Sequence, residues 1–132
     1  MNENTHILIV EDEKQIARFL QMELEHEGYI CSIEYNGAAA LDRIGQEHFD
    51  LILLDIMLPK IDGYGVCEVI RQKSQVPIIM LTALSDEENQ LKGFEQQIDD
   101  YIPKPFSPKI LLCKIAAILR RGGIENKHQS LL

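Results

Sequence analysis

Several side chains able to hold, attack or neutralise a charged ligand stand directly after short apolar runs. Glu11-Asp12-Glu13 follow Ile7-Leu8-Ile9-Val10, and Asp55 follows Leu51-Ile52-Leu53-Leu54. Thr82 and Ala83 follow the run that ends at Leu81, and Lys104-Pro105 come just after Tyr101-Ile102. Carboxylates brought close together repel one another, and such a cluster persists when a hard divalent cation neutralises it. Magnesium keeps some of its waters and takes one or two carboxylates plus phosphate. It suits Asp12 and Asp55, with Glu11 holding a coordinated water. Asp55 runs into Ile56-Met57-Leu58-Pro59, so it stands at a strand mouth, and a carboxylate so placed can accept a phosphoryl group as a nucleophile. Lys104 would supply charge to phosphoryl oxygens, and the Thr82 hydroxyl and Ala83 amide would supply hydrogen bonds. Each residue alone is unremarkable, since an acid after a strand is often only a helix cap; the combination points to phosphoryl chemistry.

These residues converge only if the apolar runs lie side by side. The runs at Ile7–Val10, Leu51–Leu54 and Val76–Leu81 are continuous and rich in branched residues, as in strands covered on both faces of a parallel sheet. Tyr29–Ile33 is more mixed and belongs nearer an edge, and Tyr101-Ile102 is short. Between the runs lies helical periodicity. Ile16, Phe19, Leu20 and Leu24 mark a first helix from about 13 to 27, stopped at Gly28. Asn36, Asp62, Ser85 with Glu88, and Ser107 with Pro108 are start signals for four more. Five strand-helix units make one parallel sheet with helices on both faces, and ligands bind such a sheet at the carboxyl ends of its strands. The stretch from Asp86 to Gln97 has only Leu91 and Phe94 as large apolar residues; it reads equally as a switch element and as a weakly packed surface helix.

The chain has 132 residues, enough for one domain, and 45% hydrophobic content, ordinary for a packed core. Thirteen Lys and Arg against 21 Asp and Glu give a net charge of −8, which opposes binding of nucleic acid or anionic membrane by this chain alone. No apolar run approaches the roughly 18 residues that span a bilayer, and Met1-Asn2-Glu3-Asn4 lacks the character of a signal peptide, so a cytoplasmic location is expected. Cys31, Cys67 and Cys113 are too dispersed for a disulfide or metal framework and are expected reduced, in or near the core. His6, His26, His48 and His128 are scattered and read as surface residues.

The segments Ile7–Glu13, Phe49–Pro59 with Asp62-Gly63, Pro77–Ala83 and Asp99–Phe106 together resemble the receiver domain of two-component response regulators, in order and spacing over about 6 to 121. Met57-Leu58-Pro59, Leu81-Thr82-Ala83, Lys104–Pro108 and Arg120-Arg121 bring the resemblance closest to receivers of OmpR/PhoB-like winged-helix transcription factors. The resemblance implies a flavodoxin-like five-stranded parallel sheet of order 2-1-3-4-5 with five helices. It makes Asp55 the phosphoacceptor, with Glu11 and Asp12 as the acidic pair and the Met57 backbone carbonyl as a further Mg2+ ligand. Thr82 and Lys104 contact the phosphoryl group, Tyr101 is the aromatic switch, and a cis peptide precedes Pro105. A sensor histidine kinase is the implied phosphodonor, and the domain acts in its own phosphorylation and slow dephosphorylation rather than as an enzyme on other substrates.

The output is expected on the fourth helix, fifth strand and fifth helix. There Lys92, Asp99, Asp100, Lys109 and Lys114, beside an apolar stripe from Ile110 to Leu119, suit a homodimer formed on phosphorylation. Pulling Thr82 inward would leave room for Tyr101 to turn from solvent toward the interior; without the resemblance Tyr101 reads as an edge aromatic that packs. Residues 1–121 are the expected receiver, and 122–132, opening with Gly122-Gly123, a linker or tail cut short before a DNA-binding domain. Gln97-Ile98 replaces the family's usual Gly-Ala and Pro103 a small polar residue, both beside the switch. An aspartyl phosphatase would need a second acid where Met57 stands. A flavodoxin-like cofactor binder would need Ser, Thr and Gly in place of Glu11-Asp12-Glu13. A receiver working without phosphorylation would have no use for the full set.

Overall fold

A computed structural model describes residues 4–83 and 98–131. In chain order the elements are β1 (His6–Val10), α1 (Lys14–His26), β2 (Ile30–Glu34), α2 (Gly37–Gln46), β3 (Leu51–Asp55), α3 (Gly63–Arg71), β4 (Ile78–Thr82), β5 (Asp100–Pro103) and α4 (Pro108–Leu131). The helix expected near 86–97, with its Ser85 and Glu88 cap and Lys92, lies outside the described residues. The helix expected fifth is therefore α4 here.

All strand pairs are parallel, in the order β2-β1-β3-β4-β5. Alternation along each strand sends side chains to opposite faces. Ile7, Ile9, Leu51, Leu53, Ile79, Leu81 and Ile102 pack with Leu20 and Leu24 of α1 and Leu111, Ile115 and Ile118 of α4. Leu8, Val10, Ile52, Leu54, Ile78 and Met80 pack on the other face with Ala40 of α2 and Tyr64, Val66, Cys67 and Ile70 of α3. Burial on both faces is why β3 and β4 are apolar almost throughout, and β2 is mixed because it is an edge.

Local chemistry sets the helix ends. Gly28, at φ 92°, closes α1 with its own amide on the Glu25 carbonyl and that of Tyr29 on Leu24, a pattern that needs a left-handed residue. The Asn36 side chain accepts from the Ala39 amide at 2.8 Å and Asp62 from the Gly65 amide at 2.9 Å, caps worth about 1 kcal/mol each.

Three expectations are corrected. α4 continues through Gly122-Gly123 to Leu131 instead of ending near Arg121, since glycine disfavours a helix by only about 1 kcal/mol and no proline follows to block it. Cys67 is buried and Cys31 half-buried, but Cys113 is exposed because α4 turns it away from the sheet. His6 is half-buried, its ring against Phe49 and its Nε2 2.8 Å from Ser32 Oγ. Among the described residues no helix is long and apolar enough to cross a membrane.

Candidate functional site

The carboxyl ends of β1, β3 and β4 lie side by side. Register pairs Val10 with Leu54 and Asp55 with Leu81, so Glu11, Asp55 and Thr82 leave adjacent strands at one level. One carboxylate oxygen from each of Glu11, Asp12 and Asp55 lies within 4.8 Å of the others. Glu11, Asp55 and Thr82 are buried, whereas Asp12 is exposed and opens the cluster to solvent.

Lys104 reaches the same point from beyond β5. Its Nζ donates to Glu11 Oε1 at 2.7 Å and to Asp55 Oδ2 at 3.1 Å, while its backbone amide donates to the Thr82 carbonyl at 2.7 Å. The following Lys104-Pro105 peptide is cis. The remaining carboxylate oxygens take backbone amides, Glu11 Oε2 from Glu13 and Asp55 Oδ1 from Met57, both at 3.1 Å. These bonds fix the two carboxylates before any ligand arrives.

Burial pushes the Glu11 carboxyl up to about 7; the bond from Lys104 opposes the rise and the neighbouring Asp55 adds to it. Burial alone would lower Lys104, but its bond to Glu11 and the charge of Asp55 outweigh that, and its pKa is raised. One ammonium faces three acids. The donor set is all oxygen, partly buried and short of positive charge, so it fits a hard divalent cation. A phosphoryl group brought here would meet Lys104 directly.

Of the residues singled out from sequence, Glu11, Asp12, Asp55, Thr82 and Lys104 therefore come to one end of the sheet. Ala83 is exposed beyond Thr82, and Met57, 62% exposed, stands at the rim. Tyr101 is half-buried and packs against the cluster that holds α3, with its hydroxyl 3.3 Å from that of Tyr64. Asp99 accepts from the Ile78 amide at 2.8 Å and from Arg71 at 3.4 Å, and Asp100 pairs with Lys114 at 3.2 Å. Both acids thus have partners within the chain, while Lys109 is exposed.

Gly63, of the Asp62-Gly63 pair, bears on Asp55 from the start of α3. An added Cβ there would stand 2.5 Å from the Asp55 carbonyl oxygen, and its amide donates to the Ile56 carbonyl at 2.8 Å. The sequence signal was a glycine straight after the Asp62 cap, where helix propensity alone would favour another residue.

Residues 7–116 match the response regulator receiver domain. Response regulator ArlR of Staphylococcus aureus is 50% identical over 117 residues, covering 89% of this chain and 53% of that protein. The chain thus spans about half the length of the curated relatives it matches. A two-component response regulator from Clostridium difficile superposes with a TM-score of 0.87 at 35% identity, covering 89% of this chain and 98% of the other. The Thermotoga maritima OmpR/PhoB homolog DrrB gives 0.82 at 36% identity, covering 89% and 54%. With the acidic strand ends, the bridging lysine and this sheet order in one chain, the protein belongs to the response regulator receiver domain family.

Proposed function

We propose that Asp55 accepts a phosphoryl group from the phosphohistidine of a sensor kinase, in a reaction that needs a divalent cation. The observation that carries this reading is Lys104 Nζ between Glu11 and Asp55, with Asp12 completing an oxygen cluster within 4.8 Å. Glu11, Asp12 and Asp55 would hold Mg2+, joined by the Met57 carbonyl. When bound, the ion supplies charge that offsets repulsion between the carboxylates and an incoming phosphoryl group.

The chain's own residues do the rest. A carboxylate oxygen of Asp55 forms the new O–P bond in line with the breaking N–P bond, and the electron pair of that bond returns to the departing imidazole, which takes up a proton. Lys104 shifts from the carboxylates onto the phosphoryl oxygens, and the Thr82 hydroxyl and Ala83 amide donate to them. The amide of Met57 keeps Asp55 oriented. The product carries up to two negative charges on the phosphoryl group, about one more than the carboxylate it replaces, and three acceptor oxygens at the end of β3.

That charge is read out on β5 and α4. Tyr101, Asp100, Lys109 and Lys114 are the surface through which the phosphorylated receiver dimerises, and residues 122–132 lead toward a DNA-binding domain that controls transcription. Dimerisation then requires the Asp100–Lys114 pair to open or be shared, so apolar residues such as Ile110, 55% exposed, supply most of the affinity. Intact mass after incubation with acetyl phosphate tests the reading. A Mg2+-dependent gain of one phosphoryl group, absent in Asp55→Ala, is expected; an equal gain in Asp55→Ala would overturn it.

A further inference from the structure

The first turn of α3 touches both the phosphorylation end of the sheet and the β5 edge. Gly63 sits so close to Asp55 that even a methyl group would collide with its carbonyl, and the next residue, Tyr64, is 3% exposed. From the start of α3 the Tyr64 side chain passes over β4 to bring its hydroxyl 3.3 Å from that of Tyr101, two strands away from Asp55. Tyr101 is held at its backbone as well: its amide donates to Asp100 Oδ1 at 2.8 Å, and its carbonyl accepts from Lys114 Nζ at 3.0 Å. With the main chain clamped, the ring's remaining freedom is rotation about its side-chain bonds, and the hydroxyl contact bears on that rotation.

We propose that Tyr64 is a positioning residue for Tyr101, holding its ring against the α3 side of the sheet, and that Gly63-Tyr64 links the backbone of Asp55 to the β5 edge. The proposal rests, for its consequence in signalling, on the reading that β5 and α4 form the output surface. The contact between the two hydroxyls adds the weight of one neutral hydrogen bond to the packing that keeps the rings together. Movement at the end of β3 displaces Gly63, since no slack separates the two backbones, and Tyr64 carries that movement to Tyr101. Thr82, the last residue of β4 and opposite Pro103 of β5, gives a second and separate connection.

The test uses tyrosine labelled with 13C in the ring, its four signals assigned by single Tyr→Phe changes, and a soluble paramagnetic agent that broadens exposed rings. In the unphosphorylated protein, Tyr64→Phe is expected to increase the broadening of Tyr101. Tyr101→Phe is expected to shift the Tyr64 signal, which reports the same contact from its other end. At equal phosphorylated fraction, measured by intact mass, Tyr64→Phe is expected to weaken self-association about two- to tenfold, the range for one neutral hydrogen bond. Unchanged broadening of Tyr101 in Tyr64→Phe, together with an unshifted Tyr64 signal in Tyr101→Phe, overturns the proposal. Failure of the wild type to take up phosphoryl would sink the functional reading instead, and the ring measurement, made before any phosphodonor is added, still decides the Tyr64 claim.

Discussion

Gly63 lies flush against Asp55: the backbone carbonyl oxygen of Asp55 would stand 2.5 Å from any Cβ at position 63. Asp55 is thus fixed by the start of the next helix as well as by its strand. Gly63→Ala must push α3 away from β3, and overpacking of this kind costs about 1–3 kcal/mol. Urea unfolding is expected to show that loss, and acetyl phosphate to modify the folded variant more slowly than wild type. A variant as stable and as fast as wild type would show that the two backbones have room to separate.

The partners of Asp99 bear on how the β5 edge works. Its carboxylate receives the Ile78 amide and Arg71, whose side chain is 11% exposed, so Asp99→Ala strips a buried amide of its acceptor. A loss of about 1–3 kcal/mol is expected by urea unfolding. Arg43 forms ion pairs with Glu34 and Glu47 in a more exposed setting, and Arg43→Ala is expected to lose at most about 1 kcal/mol. Equal effects of the two substitutions would mean that Asp99 is a surface charge, free to serve a dimer.

Divalent metal should stabilise the protein by mass action. For a site filled at tenfold excess over Kd the gain is about 1.4 kcal/mol. Differential scanning calorimetry is expected to show the thermal midpoint rising by several degrees with Mg2+ and returning with a chelator. Asp12→Asn removes the exposed ligand without touching the core, and should shrink the rise. A midpoint indifferent to Mg2+ in wild type would count against a cation at Glu11, Asp12 and Asp55.

Thiol chemistry checks the packing independently. Burial pushes the Cys31 thiol up to about 12 and raises Cys67 as well, whereas Cys113 is exposed on α4. Thiolate is the reactive form, so a disulfide reagent at mildly alkaline pH is expected to modify Cys113 fast and the other two only as the protein opens. Fast loss of Cys31 in the native protein would contradict its place in β2.

Much of this was legible in the residues, for physical reasons that differ from place to place. Continuous apolar runs rich in Ile, Leu and Val announced β1, β3 and β4 because both faces of those strands are covered. Asn36, Asp62 and Gly28 marked helix ends because each solves a backbone problem that few residues can. Glu11, Asp12, Asp55 and Lys104 could be brought to one place because parallel strands deliver whatever follows them to the same edge. Side-chain partners across the sheet were not legible. Tyr64 and Tyr101 are 37 positions apart, and only the packing of α3 over β4 makes them neighbours. The inward engagement of Asp99 by Arg71 and the Ile78 amide is of the same kind, since charge type alone cannot tell a dimer contact from an internal one. The persistence of α4 beyond Gly122-Gly123 shows that glycine weakens a helix without ending it.

If Asp55 is the acceptor, the phosphoryl group resides on its side chain, and mapping the modified residue decides the point. An aspartyl phosphate, unlike a phosphoserine or a free carboxylate, is reduced by borohydride to homoserine. The protein treated with acetyl phosphate and Mg2+, then reduced, digested and sequenced by tandem mass spectrometry, is expected to carry homoserine at position 55 and aspartate at position 12. Homoserine at another acidic position, or unaltered aspartate at 55 in protein whose intact mass shows a phosphoryl group, would rule out Asp55 as the acceptor.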